Sequence, residues 1–195
     1  MNPDRETLHR GLSNAAWGYF FLTFDFNLGT VSVLPRFVGW MLLAAAVRDL
    51  SQARRDLALL RPLTVLMAVW NGVDWLASWA GQSVNGRILF LDLLVSAAVL
   101  YFHFQFLTDM AALAQRHQPE GGSLDRRLCR RRTAYLLVTT EADLLLALPA
   151  GRYEEVRGYV GTALALVGIA AALFIIIGLF ELRGFFREGE SAEDK

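Results

Sequence analysis

The sequence predicts an all-α protein, a polytopic membrane helix bundle of about six transmembrane helices with both termini inside. Three observations predict it. Hydrophobic residues make up 54% of the 195 and the mean hydropathy is +0.35, above the roughly 45–50% apolar content of globular domains. Long runs carry no charge, the clearest being Val160 to Phe180. Charge balances at 19 basic against 19 acidic residues, but the basic ones crowd into short segments between the apolar runs.

A bilayer core near 30 Å needs about 20 helical residues, and 17 suffice. The first qualifying segment is Leu12–Leu28. Met1–Arg10 is polar and the run after it lacks a small-residue cleavage pattern, which predicts that this helix is retained. Pro35–Leu50 follows, with Gly29 ending one helix and Pro35 suited to start the next. It is the shortest span, and it is expected to run on through Asp49 to Leu60 as an amphipathic extension with Arg48, Arg54 and Arg55 exposed. Leu63–Ala80 and Ile88–Ala114 come next, joined by the short loop Gly81–Arg87 and therefore expected to be antiparallel neighbours. The connection Gln115–Arg132 reads as the one sizeable inner loop. Thr133–Pro149 carries two acids near its middle, a cost of about 5–6 kcal/mol against about 0.3–0.6 kcal/mol returned by each Leu or Val. It needs neighbouring helices, or a re-entrant path, to shelter Glu141 and Asp143. Tyr159–Leu182 completes the set. Residues 1–187 thus form one membrane domain, and 188–195 a short polar tail.

Arginine placement orients the bundle. The inner segments of a six-span arrangement hold fifteen of the 19 basic residues, and the outer segments only Arg36, Arg87, Arg152 and Arg157. That is the asymmetry of the positive-inside rule, and it puts both termini in the cytoplasm. Zero net charge gives no reason to expect nucleic acid. A single cysteine, Cys129, excludes an internal disulfide and a four-cysteine metal site. Arg126, Arg127, Arg130, Arg131 and Arg132 could meet anionic lipid, which attracts juxtamembrane charge by about 1 kcal/mol each; topology anchoring explains the same residues.

Five acids interrupt the apolar runs: Asp25, Asp74, Asp92, Glu141 and Asp143. A carboxylate at a helix centre costs about 2.5–3.5 kcal/mol on the insertion scale, so such groups usually face protein and often carry function. In this topology all lie toward the outer ends of their spans. Asp25, Asp74, Asp92 and Asp143 share a layer roughly 5–9 Å below the outer boundary at 1.5 Å per residue. Arg36, Arg87 and Arg152 sit just above as ion-pair candidates. Asn71, Asp74 and Ser78 share one side of their helix, Asp92, Ser96 and His103 another, and Thr139 and Asp143 are i, i+4. Glu141 points about 200° away from Asp143 and needs a different partner, as the helical repeat requires.

The pattern supports a small-solute or cation carrier or binding protein with an outward-facing acidic cavity. The residues lining it would be Asp25, Asn71, Asp74, Asp92, Ser96, His103 and Asp143. The alternative is a non-transporting scaffold or sensor subunit whose acids pair with arginine. No nucleophile–base pair, phosphate loop, cofactor motif or metal spacing can be assembled, so an enzyme is not expected and the identity of any metal stays open. In the last helix Gly161, Ala165, Gly168 and Ala172 form a small-residue stripe suited to packing within the bundle or to a homodimer seam. Tyr19–Asp25 and Tyr135–Glu141 echo one another and would make a parallel repeat.

The connection Asn27-Leu28-Gly29 then Leu34-Pro35-Arg36-Phe37-Val38-Gly39-Trp40, preceded by Phe21-Leu22-Thr23-Phe24, resembles a group of small uncharacterised multi-pass membrane proteins of anaerobic Gram-positive bacteria. In that group an acid usually follows the proline, where this chain has Arg36. The resemblance covers about Gly18–Trp40. It implies the cytoplasmic membrane of a bacterium and no activity.

Overall fold

A computed structural model describes residues 4–24, 27–28, 31–32, 35–82, 89–147 and 154–186. They hold six α-helices: α1 (Arg5–Thr23), α2 (Arg36–Leu50), α3 (Arg61–Trp79), α4 (Leu89–His117), α5 (Leu124–Ala147) and α6 (Glu154–Gly184). A 3₁₀ segment, Arg55–Leu60, leads into α3, and a two-residue antiparallel bridge pairs Asn27–Leu28 with Val31–Ser32. Among the described residues, three helices are long and apolar enough to cross a membrane: Arg55–Trp79, Phe90–His117 and Arg157–Gly184.

The helices follow the order α3–α2–α1–α6–α5–α4, each touching the next, while α3 and α4 barely meet. Glycines set the closest approach. A Cβ at Gly18 would come within 2.8 Å of Leu43 and 3.0 Å of the Gly39 carbonyl, and one at Gly11 would come within 2.9 Å of Leu50. The contacts Gly11–Leu50, Gly18–Leu43 and Leu22–Gly39 run in opposite chain directions, so α1 and α2 are antiparallel. On α5 and α6, Leu128–Gly178, Val138–Gly168 and Leu145–Gly161 give the same result. The small-residue stripe of α6 is therefore occupied within the chain at Gly161 and Gly168, with Ala172 buried and Ala165 exposed. Small residues in membrane helices serve this purpose, since they let backbones approach closely enough to pack.

The helix boundaries correct several expectations. α1 is capped by Asp4, whose carboxylate accepts from the Glu6 amide at 3.3 Å. It ends at Thr23 rather than Leu28, because Asn27 and Leu28 pair with the next strand instead of continuing the helix. The extension of α2 to Leu60 breaks at Ser51–Arg54, and the chain re-forms as the 3₁₀ segment, which buries Leu57 and Leu60. The long inner loop shrinks to residues 118–123, because α4 reaches His117 and α5 starts at Leu124. Gln118 makes that tight turn possible: its Oε1 accepts from the Leu124 amide at 2.9 Å and its Nε2 donates to Asp125 at 3.0 Å, satisfying helix-end groups. Arg126–Arg132 are thus helical.

Consecutive helices alternate in direction, so the start of α1, α3 and α5 and the end of α2, α4 and α6 gather at one end, which carries most of the described arginines. In α1 and α2 the buried core runs nearly end to end, from Leu8 to Tyr19 and from Gly39 to Leu50, whereas in α3–α6 it gathers toward that end. In α3 it comprises Thr64 and Met67; in α4 it runs from Phe102 to Ala114; in α5 it is Leu124 and Leu128; in α6 it runs from Ala171 to Leu182. The far thirds of these four helices hold no buried residue among the described side chains.

Candidate functional site

Two polar systems lie inside the bundle, and a looser one lies in its far half. The deepest is a hydrogen bond of 2.9 Å between Tyr19 Oη and His103 Nδ1, joining α1 to α4 at 1% and 2% exposure. Aromatic rings enclose it. Trp40, Phe102 and Tyr135 lie 6.1, 5.4 and 5.1 Å from the imidazole centroid, and Phe106 lies 6.1 Å from Tyr19. A buried imidazole needs such a partner, because an unpaired polar group in an apolar site costs about 1–3 kcal/mol. His103 is therefore a satisfied core residue here, not an open lining of a cavity. Tyr19 and Tyr135, the first residues of the sequence echo, meet on this histidine with centroids 6.5 Å apart. Their helices, both antiparallel to α6, run in the same direction.

The second system is a circuit of arginines at the densely packed end. Arg10 on α1 donates to Asp49 on α2 at 2.9 Å, and Arg48 reaches the same carboxylate at 3.0 Å. Arg54 donates to Asp109 on α4 at 2.7 Å, and Gln105 adds a bond of 3.0 Å to the other oxygen. Arg132 on α5 donates to Thr108 on α4 and lies over the Phe104 ring at 4.5 Å. Arg127 pairs with Glu181 on α6, Arg131 donates to the Phe174 carbonyl, and Arg183 reaches back to Ser13 on α1. Side chains of arginine thus cross-tie α2, α1, α6, α5, α4 and the 3₁₀ segment in turn. Asp109 is fully buried and Asp49 nearly so.

Neither buried acid was among the five singled out from the sequence. Asp109 stands inside the fourth apolar run, and the signal was its spacing four residues after Gln105. Its decisive partner, Arg54, is 55 positions away and invisible to local pattern. Arg54 was expected to be exposed; its side chain is 19% exposed because it turns inward to that carboxylate. Of the basic cluster, Arg127, Arg131 and Arg132 are engaged within the protein, whereas Arg126 and Arg130 are exposed.

The far half contains the residues first proposed for a site. Ser96 on α4 lies beside the Asp143 carboxylate on α5, so these two are brought together. Asp143, Asp92, Asp74 and Asn71 are half-buried. Asp74, Asp92 and Arg36 each have an interaction partner. Asn71 donates to the Met67 carbonyl of its own helix at 2.8 Å. Glu141 is exposed, on the side opposite Asp143 as the helical repeat requires. Asp25, Arg87 and Arg152 lie outside the described residues. The expected close packing of α3 on α4 is corrected: α3 lies against α2 instead, with Phe37 edge-on to Trp75 at 5.4 Å and Trp75 to Trp79 at 5.2 Å.

No known protein family, curated protein or solved structure matches the chain.

Proposed function

We propose that the chain is a carrier or binding protein for a small solute or cation, crossing a bacterial cytoplasmic membrane six times with both termini inside. One observation carries this reading. Among the described side chains the far thirds of α3–α6 hold no buried residue, while half-buried Asp74, Asp92 and Asp143 sit there. Half-buried carboxylates beside a hydroxyl suit a cation or amine, because partial desolvation strengthens attraction to opposite charge. The positive-inside rule puts the arginine end in the cytoplasm, so the acidic half faces outward. The Tyr19–His103 pair and its rings then separate that half from the interior.

A second reading, a non-transporting scaffold or sensor subunit, is favoured by a different observation: both deeply buried acids, Asp49 and Asp109, are locked to arginine. A flux and binding screen in proteoliposomes across cations and small amines separates the two. A carrier moves or binds one of them, and Asp143→Asn lowers that signal at least about tenfold, the loss of about 1.4 kcal/mol of binding. Flux no greater than in protein-free vesicles, with no binding, assigns the scaffold reading.

A further inference from the structure

We propose that Arg54 and the 3₁₀ segment Arg55–Leu60 form a releasable latch at the cytoplasmic end, the gate through which a bound solute would leave. The inference rests on the carrier reading above. The seam between α3 and α4 is the weak point of the ring, since these two helices barely touch. At the arginine end the 3₁₀ segment bridges it, touching α2, α3 and α4. What holds it to α4 is one charged pair, Arg54–Asp109, supported by Gln105. Apolar burial in the segment comes from Leu57 and Leu60 alone.

The other arginine ties differ in consequence. Arg10–Asp49 and Arg127–Glu181 join helix pairs that pack along their whole lengths through glycine contacts, so breaking them would not part the helices. Loss of Arg54–Asp109 would leave two leucines to hold the seam. The grip is also incomplete, because Arg54 Nε is buried without a hydrogen-bond partner, whereas Nη2 serves both Asp109 and, at 3.3 Å, Asp56. Exposed Asp56 offers Arg54 an alternative partner once Asp109 is released. A short element held by few buried contacts is where local opening is expected.

The test uses the full chain in proteoliposomes with Cys129→Ser and a reporter, Leu57→Cys, at a position with 0% exposure. A membrane-impermeant maleimide is added on the arginine side. The paired change Arg54→Met with Asp109→Leu removes the latch without leaving a charge buried alone, which single changes would do. Labelling is expected to quicken at least about tenfold in that variant, as local opening becomes easier. Arg10→Gln should leave the rate within about twofold, since additivity between separate sites predicts no coupling. Equal labelling with and without the pair, or equal acceleration by Arg10→Gln, overturns the latch. If the paired variant does not fold, Gln105→Leu replaces it and must still quicken labelling above the parent. Faster labelling in a protein that moves no solute keeps the latch and removes the carrier reading. Solute movement with unchanged labelling does the reverse.

Discussion

At the scale of residues, the buried His103, Asp49 and Asp109 each have a partner. The Tyr19–His103 bond makes this testable. Tyr19→Phe strands one imidazole nitrogen among aromatic rings, and it should destabilise the protein by about 1 kcal/mol or somewhat more. Tyr19→Phe combined with His103→Leu removes both partners and should recover much of that loss, read by thermal unfolding in detergent. Asp125, in the first turn of α5 and outside the apolar spans, gives a pH prediction. The Gln118 side chain first, then the Arg126 amide, hold its carboxyl below the usual carboxylate range. A depressed value means the stabilisation is present above the unfolded pKa of about 3.9 and is lost as pH falls through the folded value. Exchange protection of the Leu124 amide should therefore drop below about pH 4, and Asp125→Asn should remove that step.

At the scale of elements, glycine decides which helices approach closely. Gly18→Ala places a Cβ 3.0 Å from a backbone carbonyl that cannot yield, and should cost about 1–3 kcal/mol. Gly158→Ala meets nothing within 4 Å and lies in the helix α6, so it should be neutral or stabilising by up to about 1 kcal/mol. Detergent unfolding midpoints of the two variants should move in opposite directions. Gly18 stands inside an apolar run and Gly158 directly before one. The close neighbours on α2, Leu43 at 2.8 Å and the Gly39 carbonyl at 3.0 Å, distinguish them.

At the scale of the molecule, the bundle is tied at one end and loose at the other. The six crossings proposed above predict that reporter fusions at Gly121 and at the C-terminus both report cytoplasm. An outside signal from the C-terminus would mean that α5 does not cross. α5 is the informative helix. Its first third carries Arg126–Arg132, and its shelter comes from α4 and α6, through Ser96, Thr108 and Glu181.

The sequence by itself determined the helical class, the apolar segments, the gathering of arginine between them and the tilt of Glu141 away from Asp143. Each follows from local composition and a repeat of 3.6 residues, which need no knowledge of neighbours. It placed Asp143 and Ser96 on inward faces without pairing them. Tertiary structure alone decided that Asp49 and Asp109 are the buried carboxylates, that His103 is spent on Tyr19, and that α3 turns to α2 rather than α4. Those outcomes depend on contacts across tens of residues, such as Arg54 with Asp109 and Tyr19 with His103. A buried charge is stable only where its partner arrives, and which partner arrives is settled by how helices pack, not by the order in which they are written.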